Sequence, residues 1–391
     1  MNDEKVPGPL SMGSGNHPQF NNPPIYRGAS VSFGSMQERR EAASLSGSTQ
    51  RGWTYGLEGS PTHWALEDEL IALEGGEKCE LYSSGLAAIT GTLISVLSSG
   101  DHILVPDSVY GPVRRFVRTI LRSFGVSTTF YSPCISSDDI IKIFQPNTRL
   151  LYLESPGSYT FEVQDVPGLA AAAGDRGIVS IMDNTWGIRR FSPLLSGVDV
   201  VVHSATKYMS GHSDVLLGAA IWRSARVGGK IARGRRILGE HVSADDCWLV
   251  SRGLKTLDLR LNSQERTAYN VATWLANRPE IDSVRHPALV SCPGHEVWRR
   301  DYTGASGVFS VIFAPHISNY QIDKICNQLS IFRIGASWGD TTSLVLPSGD
   351  FLRRDVKVRG LCNLVRFSIG LESESDLIED LQRGFRASLG G

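Results

Sequence analysis

Residues Asp199 to Ile221 read "DVVVHSATKYMSGHSDVLLGAAI". Val200, Val201 and Val202 are apolar and β-branched, as a buried strand favours, and the chain turns polar directly afterwards. Lys207 follows at that exit, flanked by Ser204, Thr206 and Tyr208. A cation at the end of a buried strand needs a partner. The partner is to be sought at the ends of the neighbouring strands.

Working outward, "HILVPD" (102–107), "TRLLYLESP" (148–156) and "GIVSIMDN" (177–184) repeat the pattern of an apolar run leaving into polar residues. Helical patterns lie between or before them: "PTHWALEDELIALEGG" (61–76), closed by a Gly pair, "GLAAITGTLISVLSSG" (85–100) and "VPGLAAAAGDRG" (166–177). Strands alternating with helices imply right-handed crossovers and a mostly parallel sheet. Ligands of such sheets sit beyond the carboxyl ends of the strands. Those ends carry Glu154, Asp183 and the segment Ser204 to Lys207. After about residue 253 the runs "GVFSVIFA", "LSIFRIGAS" and "LVRFSIGLE" mix with helical stretches. The expected organisation is an α/β protein with an extended arm at 1–60, a large ligand-binding domain at 61–253, and a smaller α+β domain at 254–391.

Net charge is −1 with the basic residues dispersed, so nucleic-acid binding is not indicated. The tightest basic cluster, Arg233, Arg235 and Arg236, reads as a solvated helix face. The six cysteines form no Cys-x-x-Cys pair, which argues against a zinc site and a disulfide scaffold. No run is long enough to span a bilayer, and the N-terminus lacks the regions of a signal peptide. A cytoplasmic protein without a structural metal is expected.

Two features suggest what the strand ends hold. In "LYSSGLAAITG", Ser83, Ser84 and Gly85 precede an apolar helix, whose free N–H groups favour an anion. Ser204 and Thr206 offer hydroxyls that could reach the same group. Asp183 ends another strand. A phosphate cradle, a carboxylate and a lysine together fit pyridoxal phosphate (PLP), with Lys207 as its Schiff-base anchor and Asp183 keeping the ring nitrogen protonated. Tyr110, in "PDSVYGP", is placed to stack on the ring.

With these residues in view, the chain resembles the Cys/Met-metabolism family of PLP enzymes, and within it the cystathionine β-lyase branch. The resemblance runs from about Thr54 to Phe385 and rests on "SATKYMSGHSD", "LESPGSYTFEVQDVP", "MDNTW", "VSRGLKTLDLRL" and "HPALVSCPGHEVWRRDYTGASGVFS". It implies a fold-type-I PLP-dependent transferase fold. It also implies Lys207 as the Schiff-base lysine, Asp183 as the pyridine partner and Tyr110 as the stacking tyrosine. Ser84, Gly85, Leu86, Ser204 and Thr206 become phosphate contacts. Arg366 becomes the grip on the substrate carboxylate, with Ser337 and Trp338 beside it. Tyr55 is expected to serve a neighbouring subunit, within a homotetramer built from dimers that share active sites.

The chain departs from the family pattern twice. Leu57 stands where an arginine usually contacts the neighbour's phosphate, and the nearby Glu58 has the opposite sign. Arg51 is a candidate substitute. In "SWGDTTSLVLP", Asp340, Thr341 and Thr342 replace a Gly–aromatic–Glu continuation, so an altered substrate rim is expected. The resemblance implies a carbon–sulfur β-lyase of transsulfuration and amino-acid biosynthesis, releasing pyruvate and ammonia. A γ-lyase or γ-replacement enzyme, a lyase for another cysteine S-conjugate, and a PLP-binding regulator without turnover remain open.

Overall fold

The structure is a computed structural model that describes residues 22–45, 52, 54–223, 225–349, 352–355 and 361–389. Seven strands build the first sheet: β1 (Lys78–Tyr82), β2 (His102–Pro106), β3 (Ser127–Tyr131), β4 (Thr148–Glu154), β5 (Val179–Asp183), β6 (Val200–Ser204) and β7 (Gly218–Trp222). Their order is β1-β7-β6-β5-β4-β2-β3. Strands β2 to β6 pair in parallel, whereas β7 runs antiparallel to both β6 and β1. The sheet is therefore mostly parallel, with helices on both faces. Alternation along the strands explains the two-sided burial. Leu150, Tyr152, Val200 and Val202 pack in the core under the helix Gly85–Val96, while Leu151, Leu153 and Val201 face the opposite core; all are fully buried.

Caps set the helix ends that matter for the site. The helix Pro61–Glu74 starts with Ser60 and His63 in a reciprocal capping arrangement and Pro61 in its first turn. It stops at Gly75, which takes φ 70°. Ser84 caps the helix Gly85–Val96 by accepting from the Ala87 amide at 3.1 Å. Gly85 is required by contact rather than by φ, because a Cβ there would lie 2.5 Å from the Ser204 Cβ. Helix and β6 approach that closely.

A second sheet contains β8 (Ile281–Arg285), β9 (Val308–Phe313), β10 (Arg333–Ile334), β11 (Leu344–Pro347) and β12 (Leu364–Ser368), in the order β10-β11-β12-β9-β8. Its core joins Phe309, Phe313 and Phe367 to Leu377, Leu381 and Phe385 of the last helix, Glu374–Leu389.

Two expectations are corrected here. Within the N-terminal arm, Met36–Leu45 is a helix rather than extended chain. Arg235 is not part of a solvated face: it is 5% exposed. Its guanidinium donates to the carbonyls of Leu57 (2.9 Å) and Leu81 (3.3 Å) and lies 3.6 Å from Glu80. The helix Ala225–Ile237 packs on the helix Gly85–Val96, which turns Arg235 inward to hold the arm. Among the described residues, no helix is long and apolar enough to cross a membrane.

Asp380 gives a stability test. It is 2% exposed and accepts the amides of Ser330 (2.8 Å), Ile331 (2.8 Å) and Phe332 (3.1 Å), besides pairing with Arg383. Asp380→Ala strands these donors and should lower stability by about 3 kcal/mol, read as a fall in the urea midpoint at unchanged slope. An unchanged midpoint would show that water takes over the three amides.

Candidate active site

At the carboxyl ends of β4, β5 and β6 lies a cavity of about 380 Å³. Its walls include Ser84, Gly85, Leu86, Tyr110, Asp183, Ser204, Thr206, Lys207, Trp338 and Arg366. All ten were expected from the sequence: eight come from segments at the first sheet, Arg366 from β12, and Trp338 from the loop before β11.

Lys207 sits in a tight turn after β6, where its amide reaches the Ser204 carbonyl (3.1 Å) and its carbonyl accepts from Gly211 (2.8 Å). Thr206 Oγ1 accepts from the Leu217 amide at 3.1 Å, closing the loop that follows. The ammonium of Lys207 donates to Ser337 Oγ at 2.9 Å and stands 5.4 Å from the Trp338 ring. Burial, reinforced by the Arg366 charge, pushes the amine down to about 8, against the pull of Asp340 and Asp183. A substantial neutral fraction thus exists at mildly alkaline pH, as nucleophilic or basic use requires.

Asp183 Oδ1 accepts from both the Thr185 amide (2.9 Å) and hydroxyl (2.6 Å). Thr185 Oγ1 in turn accepts from the Ser204 amide at 2.9 Å, linking the ends of β5 and β6. Burial pushes the Asp183 carboxyl up, opposed by the Thr185 hydrogen bonds. Glu154, one strand over, accepts the amides of Tyr110 (2.8 Å) and Ser158 (3.0 Å), which fixes Tyr110 against the cavity. Burial and the neighbouring Asp183 push Glu154 up as well. Thr185 and Glu154 were not given these roles from sequence. The signal for Thr185 was its place two residues after a strand-end aspartate, where such hydroxyls bond back.

Arg366 is 6% exposed on β12. Its guanidinium donates to the carbonyls of Ala336 and Ser337 (3.1 Å to the latter) and lies 5.2 Å from the Tyr159 ring. One short loop therefore holds Arg366 through its backbone and Lys207 through its Ser337 hydroxyl.

Other expected residues are placed elsewhere. Ser83 does not line the cavity; its amide and hydroxyl donate to Glu240 (3.2 and 2.9 Å). Tyr55 is 55% exposed and lines a different cavity, of about 490 Å³, with Arg27, Leu57 and His241. Glu58 bonds back to Thr54 at 3.1 Å. Arg51 lies outside the described residues. Asp340, Thr341 and Thr342 do not form a rim of the Lys207 cavity. Asp340 is 6% exposed and turned inward, accepting from Ser213 and from the Thr342 amide (2.6 Å). Its side chain satisfies a local turn, beside the loop that holds Lys207.

Comparison with known proteins adds the cofactor. The model of the Cys/Met metabolism PLP-dependent enzyme family matches residues 11–386. The chain is 35% identical over 371 residues to cystathionine beta-lyase of Haemophilus influenzae, covering 93% of each chain. It is 37% identical to cystathionine beta-lyase MetC of Escherichia coli, covering 92% of each. The solved structure of cystathionine gamma-lyase from Lactobacillus plantarum, complexed with L-serine, superposes with a TM-score of 0.84 at 28% identity, covering 94% of this chain and 93% of that one. The chain belongs to the Cys/Met metabolism PLP-dependent enzyme family, and pyridoxal phosphate is its cofactor. The cavity fits that group. A lysine amine and a carboxylate with its second oxygen, Oδ2, unengaged by Thr185 share one cavity, and Gly85 leaves bare backbone beside Ser204 where a Cβ would collide.

Two outcomes follow. Asp183→Asn should keep PLP but lose turnover by about two or more orders of magnitude, because an amide no longer favours a protonated ring nitrogen. Near-normal rates would make Asp183 a structural residue. Leu57→Arg should slow PLP loss on dialysis and tighten its binding by about one to two orders of magnitude, the range of one charge-assisted hydrogen bond. An unchanged dissociation constant would mean that other donors already satisfy the phosphate.

Proposed function

We propose that the protein is a PLP-dependent carbon–sulfur β-lyase, cleaving cystathionine or a related cysteine thioether to a thiol, pyruvate and ammonia. The observation that carries this reading is the loop around Ser337, which bonds Lys207 by its hydroxyl and Arg366 by its carbonyl. Lys207 and Arg366 line one cavity, so an amino acid whose α-carboxylate lies in the Arg366 fork has its Cα in the same space as the Lys207 amine. The names of the relatives at 35% and 37% identity favour elimination at the β-carbon.

Bound PLP supplies the electron sink that takes up the pair left at Cα when the proton is removed. Lys207, with its amine pushed down to about 8, takes that proton as a general base. Asp183, aligned by Thr185, would hold the ring nitrogen protonated. Tyr110, fixed through its amide by Glu154, would stack on the ring. The Cβ–S bond breaks with the pair leaving on sulfur, and Lys207 or a tyrosine returns a proton to the thiolate. Ser84, Gly85, Leu86, Ser204 and Thr206 would hold the phosphate end, and Trp338 closes the wall beside the lysine.

Tyr55 supports a shared site, since it is exposed and lies outside its own chain's Lys207 cavity. We infer a homotetramer of dimers, acting in the cytoplasm on a small sulfur amino acid.

The reading is tested by the keto acid. Incubating the holoenzyme with L-cystathionine and other cysteine thioethers should release pyruvate with an equal amount of thiol. Mass spectrometry finding mainly 2-oxobutyrate would move the enzyme to γ-elimination, and a static spectral change without any keto acid would make it a binding protein.

A further inference from the structure

The Lys207 cavity has a neighbour. Pro112, Ser158, Tyr159 and Ala336 wall both it and a second cavity of about 430 Å³. Five arginines line that second space: Arg114, Arg115, Arg118, Arg353 and Arg354. The carboxylates around it are committed. Asp107, 1% exposed, pairs with Arg114 at 2.5 Å and accepts the Asp355 amide at 3.0 Å. Glu162 holds Arg354 at 2.9 Å. Asp355 pairs with Arg118 and lies 3.5 Å from Arg114. Arg115 is exposed and has no carboxylate partner among the described residues. It rides on the short helix Gly111–Phe116 that directly follows Tyr110, so its backbone is fixed relative to the reacting site.

We propose that this arginine-lined vestibule receives the sulfur substituent of the substrate, and that Arg115 binds a carboxylate carried there. The enzyme then prefers cysteine thioethers with an acidic S-substituent. The proposal rests on the reading above that a cysteine thioether enters the Lys207 cavity. A molecule gripped at its α-carboxylate by Arg366 extends past Tyr159, whose ring packs against that guanidinium, and meets a guanidinium fork at its far end. Asp107 is the one acidic residue in the vestibule wall among the described residues, and Arg114 already occupies it. Among the described residues a distal ammonium therefore finds no free countercharge in the wall, while a distal carboxylate finds Arg115. Specificity arises from the missing acid as much as from the added base.

A matched set of compounds separates these contributions. S-(3-carboxypropyl)-L-cysteine is cystathionine without its distal ammonium, and S-propyl-L-cysteine lacks the distal carboxylate too. With the holoenzyme, kcat/KM for the carboxypropyl compound should exceed that for the propyl compound by about tenfold to a hundredfold, the range of a charge-assisted hydrogen bond, and should be at least that for L-cystathionine. Arg115→Ala should erase most of the preference through KM, Arg115→Lys should keep part of it, and Arg115→Glu should invert it. Equal kcat/KM for the carboxypropyl and propyl compounds in the unaltered enzyme would overturn the proposal, as would an equal loss on both in Arg115→Ala. If no thioether releases pyruvate, the β-lyase reading fails separately. The subsite is then read by titrating the bound cofactor's absorbance with the same compounds, where the same affinity ratio and the same dependence on Arg115 are required.

Discussion

The parallel register of β4, β5 and β6 is the constraint on which the site depends. Glu154 lies opposite Asp183, and Asp183 opposite Val202, so the three strands leave the sheet at nearly one level. Each exit then contributes a different group: Glu154 positions Tyr110, Asp183 is aligned by Thr185, and the turn after Ser204 raises Lys207. The register is held by burial on both faces. Slipping a strand by one residue would exchange Tyr152 and Val202 with Leu153 and Val201 between two differently shaped cores. The chemistry is thus placed by packing that takes no part in it.

The second sheet completes what the first begins. Arg366 comes from a strand paired on both sides, with Leu346 opposite in β11 and Ser310 in β9. A buried guanidinium on a central strand has little freedom, and its hydrogen bonds to the loop before β11 transmit that rigidity to Ser337 and so to Lys207. The two sheets meet through this loop. Sites held by strands on both sides reach the tolerances that oriented proton transfer requires.

Much of this was legible in the chain. Lys207 and Asp183 stand directly after long apolar runs, and such runs declare their own ends. Gly75 closed its helix where the Gly pair suggested. The antiparallel β7 was harder to read, because "GAAIW" is short and three of its five residues are Gly or Ala, with weak strand preference. Arg235 looked like a surface cation because composition cannot tell which face of a helix meets another helix. Asp340 looked like a rim residue because sequence gives position along the loop, not the direction of the side chain. Tyr55 was read as a neighbour's residue only through the resemblance. Its own chain leaves it away from the Lys207 cavity, and no periodicity encodes a neighbouring subunit.

The order of strands in the second sheet also bears on how the protein is made. Strand β12 lies between β11 and β9, yet it is the last strand in the chain, and the helix that covers its sheet ends at Leu389. The first sheet has all seven of its strands once Trp222 has been synthesised. The strands of the first sheet are thus complete before β12 is made, although the core beneath them also draws on later residues such as Leu257, Leu261 and Val308. Until β12 and the last helix follow, Phe309 and Phe313 of β9 lack the part of their core that Phe367, Leu377, Leu381 and Phe385 supply, an interval in which apolar surface stays open to aggregation.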